Sequence, residues 1–118
     1  NSPHSINQKI KDKDNLYLVA LDKNRILGFC LGYFESGLFW LDWIGVKKEF
    51  RKQKIATNLF GFLERYVKDR NIHKIWFDSR TNNKESISFL KNQNCYKITE
   101  VKNHWYNLDF FLWAKNIQ

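Results

Sequence analysis

The sequence predicts an α/β protein of the α+β kind, with a mixed, mostly antiparallel sheet and a βαβ unit at its centre. Three observations carry that expectation. The run Leu38-Phe39-Trp40-Leu41-Asp42-Trp43-Ile44-Gly45-Val46 is apolar, aromatic and β-branched except at Asp42, which is how a well-buried strand reads. From Ile55 the period changes: Ile55, Leu59, Phe62, Leu63, Tyr66 and Val67 fall on one face of a helix. Ile75-Trp76-Phe77 then returns to strand chemistry after a helix of ordinary crossover length, so the flanking strands are expected to be parallel and joined right-handedly.

Residues 1–15 are polar and lysine-bearing, with Ile6 and Ile10 their only aliphatic positions, and a loop or short helix is expected there. Leu16 to Leu21 reads as a strand, Asp22-Lys23-Asn24-Arg25 as a turn, and Ile26 to Phe34 as a second strand holding Gly28 and Gly32. Glu35-Ser36-Gly37 turns this hairpin into the central strand, so three antiparallel strands should precede the helix. Past the strand His73 to Asp78, Asn82 or Asn83 can cap a short helix, with Ile87, Phe89 and Leu90 facing inward. Tyr96 to Val101 and Trp105 to Ala114 read as a closing hairpin about Lys102-Asn103-His104. Trp40, Trp43, Trp76, Phe77, Trp105, Phe110, Phe111 and Trp113 are read as core in preference to a base-stacking platform.

At 118 residues the chain is expected to be a single domain spanning 1–118, and 43% hydrophobic residues set it apart from a disordered chain. The net charge of +8 points to an anionic partner, whether cofactor phosphates, nucleic acid or an acidic surface, unless it is merely a solvated basic surface. Cys30 and Cys95 make neither a disulfide framework nor a zinc site, and His4, His73 and His104 show no ligand spacing with them, so no metal is expected. Cys95 reads as a small apolar core residue. A cytoplasmic setting fits these thiols, and no apolar run approaches the roughly 20 residues of a membrane helix, so no membrane is expected as partner.

Lys47, Lys48, Arg51, Lys52 and Lys54, against the lone Glu49, lie between the central strand and the helix, where first-turn amides lack intrahelical partners. Such a place binds anions. With Arg51-Lys52-Gln53-Lys54-Ile55-Ala56 after Val46, this stretch resembles the GCN5-related N-acetyltransferases, whose motif Arg/Gln-x-x-Gly-x-Gly/Ala follows the fourth strand. Asn83-Lys84-Glu85-Ser86-Ile87-Ser88-Phe89-Leu90-Lys91-Asn92-Gln93-Asn94-Cys95 is similar to a second pattern of that family, Asn-x-x-Ser/Ala-Ile-x-Phe-Tyr-x-x-x-Gly-Phe. The resemblance runs from about Leu16 to Ala114, beginning at the family's second strand. Its first strand and the helices that wall the acceptor site are expected to be short or absent. A trimmed N-terminus, a minimal version of the fold and completion by another chain would each account for that.

The resemblance implies acetyl-coenzyme A as co-substrate. It places the pantetheine and thioester against Ile44, Gly45 and Val46, and the pyrophosphate against Arg51, Lys52, Gln53, Lys54, Ile55, Ala56 and Thr57, with Asn83, Ser86 and Lys91 as further contacts. Lys54 stands where the family has its first glycine. Either its backbone takes a more ordinary dihedral there or the loop binds less well, with its charge in compensation. Leu90 replaces the tyrosine that protonates the departing thiolate, leaving Tyr96, Tyr106 or water for that task. Asp42 is the one acid of the central strand and the candidate general base, because an amine arrives protonated and must lose a proton before attack. A solvent-facing or lysine-paired Asp42 is the alternative.

The activity implied is N-acetyl transfer to a primary amine by direct attack. The amine could belong to a small molecule, a peptide or protein N-terminus, a lysine or an aminoacyl-tRNA, and the chain could act as a homodimer. A catalytically weak or inactive coenzyme A-binding module, or a basic nucleic-acid-binding domain, is the alternative.

Overall fold

Four antiparallel strands come first: β1 (Ser5–Lys11), β2 (Asn15–Asp22), β3 (Arg25–Glu35) and β4 (Leu38–Val46). A short 3-10 turn, Lys48–Phe50, then leads to the helix α1 (Ile55–Lys68). The chain continues through β5 (Lys74–Arg80), α2 (Lys84–Asn92), β6 (Tyr96–Val101), a 3-10 turn at Trp105–Asn107, and β7 (Phe110–Asn116). This computed structural model describes residues 5–11 and 14–117. The strands form one sheet in the order β1-β2-β3-β4-β5-β7-β6, antiparallel except where β4 meets β5. The mixed sheet and the parallel β4-α1-β5 unit are as expected.

Three expectations need correction. The segment read as loop or short helix contains β1, paired antiparallel with β2 from Ser5↔Leu21 to Lys11↔Leu16, so four strands precede α1. An edge strand is held by backbone hydrogen bonds on one side and does not require an alternating apolar pattern, which is why Ile6 and Ile10 alone did not announce it. Trp105 to Asp109 is not strand: Tyr106 and Asn107 have φ of 55° and 60°, and β7 starts at Phe110. Nor are all the named aromatics core.

That last correction follows from where the helices lie. Phe39, Ile75, Phe77 and Trp113 are register neighbours on one face of the sheet, and α1 packs Leu59, Phe60 and Leu63 on that face. The ring of Phe60 meets Phe77 and also Phe89 of α2 at 6.0 Å in both cases, so both helices cover the same side. Each fully buried Leu, Ile or Phe there contributes about 1.5–3 kcal/mol. The opposite face carries no helix among the described residues. There Trp40 and Trp76 are half-buried and Trp43 is 62% exposed, while Trp105 in the β6–β7 connection is 51% exposed.

Gly32 sits where the β3–β4 register shifts, and a Cβ there would meet the Trp40 carbonyl oxygen at 2.2 Å and the Phe39 ring at 2.6 Å. Only glycine permits that approach of the two strands.

Candidate active site

The parallel ladder between β4 and β5 is short. It pairs Leu38↔Lys74, Phe39↔Ile75 and Trp40↔Trp76 and then stops, although β4 runs on to Val46 and β5 on to Arg80. Beyond that point β5 stays paired with β7 as far as Arg80↔Phe110, and β4 stays paired with β3 as far as Val46↔Gly28. The two central strands therefore part. From Leu41 to Val46 the edge of β4 toward β5 has no strand partner among the described residues, leaving main-chain donors and acceptors along a cleft. An extended amide-bearing ligand can complete such an edge as an added strand would.

Asp42 follows shortly after the last β4–β5 pair, at a break in the β3–β4 register. Gly32 pairs with Leu41 and Leu31 with Trp43, so Asp42 is the extra residue of a β-bulge. Bulges re-aim side chains and recur beside active sites. Asp42 is exposed and makes no ion pair among the described residues, which accords with the solvent-facing reading.

At the far end of β4 the chain turns into α1 through the basic loop. Arg51 folds back, its Nε donating to the Val46 carbonyl at 3.3 Å. Arg25 stacks over the Phe50 ring at 5.2 Å while pairing with Asp22 at 2.7 Å, which ties the 3-10 turn to the β2–β3 hairpin. Lys52 and Lys54 both have positive φ, 66° and 61°. Lys54 thus takes the glycine-like left-handed conformation, and the alternative of an ordinary dihedral is overturned. A non-glycine residue held this way costs on the order of 1 kcal/mol. Lys54 occupies the N-cap position with no side-chain cap, so the first-turn amides of Ile55, Ala56 and Thr57 have no acceptor within the helix. Those donors and the helix dipole lie beside the exposed lysines of the loop, an arrangement that favours an anion.

The second helix spans the other side. Asn83 caps α2, its Oδ1 accepting from the Ser86 amide at 3.1 Å, which decides between Asn82 and Asn83. At the opposite end Gln93, a residue not singled out beforehand, donates from Nε2 to Thr57 Oγ1 at 3.5 Å. Thus α2 is tied at its C-terminal end to the first turn of α1, and Lys91 is exposed in its last turn. Leu90 is buried in the core. Tyr96 gives its hydroxyl to Asn116 Oδ1 at 2.9 Å, level with the start of β5 and away from the opening. Tyr106 is 91% exposed, in the turn beside the C-terminal end of β5. That turn is fastened by Trp105, whose Nε1 donates to Asp78 Oδ2 at 2.8 Å, a pairing sequence spacing cannot reveal because 27 residues separate them.

A separate concavity lies elsewhere. A hollow of about 570 Å³ among Glu64, Arg65, Lys68, Tyr96 and Lys115 lies by the C-terminal half of α1, where no ladder breaks, and its Lys115–Glu64 pair at 2.9 Å already satisfies itself. Geometry and not size marks the site. Neither cysteine offers a nucleophile: burial pushes the Cys30 thiol up to about 12 and the Cys95 thiol up to about 12, so both are protonated at neutral pH.

The sequence profile described as the acetyltransferase (GNAT) family matches residues 2–94. The chain belongs to that family. It is accordingly an N-acetyltransferase dependent on acetyl-coenzyme A. Solved GNAT structures share the fold. The ribosomal-protein-S18-alanine N-acetyltransferase of Escherichia coli superposes with a TM-score of 0.83 at 16% identity, over 92% of this chain and 72% of that one. A PaiA N-acetyltransferase of Thermoplasma acidophilum, in complex with coenzyme A, gives 0.75 at 22% identity over 87% and 61%. An aminoglycoside 6'-N-acetyltransferase, also complexed with coenzyme A, gives 0.80 at 17% identity over 88% and 73%. A search of curated protein sequences finds no match. Among the described residues no helix is long and apolar enough to cross a membrane.

Proposed function

We propose that the chain transfers an acetyl group from acetyl-coenzyme A to a primary amine by direct attack in the cleft between β4 and β5. The observation that carries this reading is the break of the β4–β5 ladder after Trp40↔Trp76, beside a helix start with no cap of its own. Acetyl-coenzyme A supplies an activated thioester carbonyl. The free edge of β4, with main-chain groups of Ile44, Gly45 and Val46, holds the pantetheine arm and polarises that carbonyl. Arg51, Lys52, Gln53, Lys54 and the amides of Ile55, Ala56 and Thr57 hold the pyrophosphate, and Ser86 and Lys91 of α2 border the same space. Asn83 acts through the orientation of α2, since its side-chain oxygen is engaged in the cap.

Asp42 takes the proton of the incoming ammonium, directly or through one water, so that the nitrogen can attack as the carbon–sulfur bond breaks. The departing thiolate receives its proton from the Tyr106 hydroxyl or from solvent; Leu90 has none to give. Two protonated thiols favour direct transfer over an acyl-cysteine enzyme. Positioning alone contributes several kcal/mol, so the missing tyrosine does not preclude turnover. The setting is a reducing cytoplasm, the whole chain acts as one domain, and the acceptor is an amine of a small molecule, a polypeptide or an aminoacyl-tRNA.

The deciding measurement is Asp42→Asn. Acetylation should fall by roughly 10²-fold to 10⁴-fold with coenzyme A affinity nearly unchanged, and the deficit should shrink as pH rises toward the pKa of the amine. Full rate at neutral pH would remove Asp42 from the chemistry.

A further inference from the structure

The hollow beside the C-terminal half of α1 has no part in the chemistry of the cleft, and its charges do not cancel. Its volume of about 570 Å³ is within the range of small-molecule sites. Lys115 is held by Glu64 at 2.9 Å, whereas Arg65 and Lys68 make no ion pair among the described residues. These two exposed cations stand three residues apart on α1, on one side of the helix, where like charges repel unless an anion joins them. Arg65 leans over the Phe62 ring at 6.0 Å, which steadies the guanidinium without neutralising it. The rest of the lining is flat and polar. Tyr96 is 41% exposed, and its hydroxyl donates to Asn116 Oδ1 at 2.9 Å, so the ring is held in one orientation. With its oxygen engaged, Asn116 keeps its amide hydrogens for another acceptor. Asn94, held at φ of 63°, adds a second exposed carboxamide.

We infer that this hollow binds a nucleoside phosphate, either a free nucleotide or one residue of an RNA strand. Arg65 and Lys68 take the phosphate, the Tyr96 ring stacks on the base, and the carboxamides of Asn94 and Asn116 hydrogen-bond to the base edge. A phosphate offers only acceptors and is matched by charged donors. A base offers a π face, which an exposed ring covers, and an edge carrying both donors and acceptors, which a carboxamide meets on both counts. A simple inorganic anion would engage the two cations and leave the ring and the carboxamides unused. The site is separate from the basic loop before α1. Ile55 opens the helix and Lys68 closes it, so the loop and the far wall of the hollow are about 20 Å apart.

Isothermal calorimetry on the whole chain, with coenzyme A already present at saturation, tests this. At least one of AMP, GMP, CMP and UMP should bind one to one, and its nucleoside or inorganic phosphate alone should bind at least about tenfold more weakly, since each offers only part of the contacts. Arg65→Glu, Lys68→Glu and Tyr96→Ala should each weaken the nucleotide about tenfold. All three side chains are exposed, so coenzyme A affinity should hold and loss of folding does not confound the result. A six-residue oligoribonucleotide of the same base that binds more tightly than the monomer, with a steep loss in salt, would identify an RNA strand as the source; equal affinity would identify the free nucleotide. Failure of all four nucleotides and of the oligomer to bind, binding that appears only when coenzyme A is omitted, or binding that survives all three substitutions would each overturn the inference.

Discussion

The two helices begin in opposite ways. α2 starts on Asn83, whose carboxamide oxygen accepts a first-turn amide at 3.1 Å, with Glu85 in the first turn to complement the dipole. α1 starts on Lys54, in a left-handed conformation, with no cap, no acid in its first turn and cations crowding the approach. By the rules of helix stability α1 is the badly made one. Its amides stay open, its dipole is uncompensated, and its N-cap residue sits in a region that suits glycine. The contrast separates a helix start that closes on its own side chain from one left open, where the proposed pyrophosphate would sit.

The largest effect should come from the open start. Replacing Arg51 and Lys52 together by glutamate should weaken coenzyme A binding about 10²-fold more than binding of pantetheine, which has no pyrophosphate for the helix start. Equal losses in calorimetry would break the comparison. Next comes the closed start: Asn83→Ala should cost about 1 kcal/mol of stability and leave coenzyme A affinity little changed. A melting temperature that holds while affinity drops would make Asn83 a ligand residue instead. Lys54→Gly should raise stability by about 1 kcal/mol, because glycine takes φ of 61° without strain, and keep coenzyme A affinity within about tenfold as a lost charge offsets closer backbone approach. A hundredfold change would show one of those two effects to be misjudged.

The smallest effect belongs to an amide closed by an ionisable acceptor. The Asn103 amide donates to Asp109 Oδ1 at 3.0 Å, and that bond, seconded by Lys102, holds the Asp109 carboxyl below its ordinary range. A depressed carboxyl contributes stability that is present at neutral pH and lost as pH falls through its folded pKa. Hydrogen exchange at Asn103, measured from neutral pH into acid, should therefore show protection relative to intrinsic rates fading only below the ordinary carboxylate range. Protection unchanged in strong acid would detach the turn that carries Trp105 and Tyr106 from Asp109.

Much of this was legible in the order of residues. Leu38–Val46 is a strand with the bounds its apolar run implies, and α1 opens at Ile55 where the period changes. Asn94 takes φ of 63°, the left-handed ending that asparagine tolerates in place of glycine. Other features were not. Phe60 falls outside the apolar face read for α1, yet it is fully buried, because α2 adds a second wall and widens the arc that must be apolar. Trp43 looked like core and is exposed, because nothing in a strand's own pattern says which face of the sheet a helix will cover.

By itself the sequence determined the properties that depend on neighbours a few residues away: the periods of strand and helix, a cap at Asn82 or Asn83, and the basic approach to α1. Only the tertiary structure decided where β4 and β5 part, that Asp42 is the extra residue of a bulge, and that Asp78 and Trp105 meet. The reason is physical. Periodicity and capping arise from local backbone geometry, whereas a cleft is a disagreement between two ladders. Its position depends on the register of β3 against β4 and of β5 against β7, set by packing contacts between segments far apart in the chain.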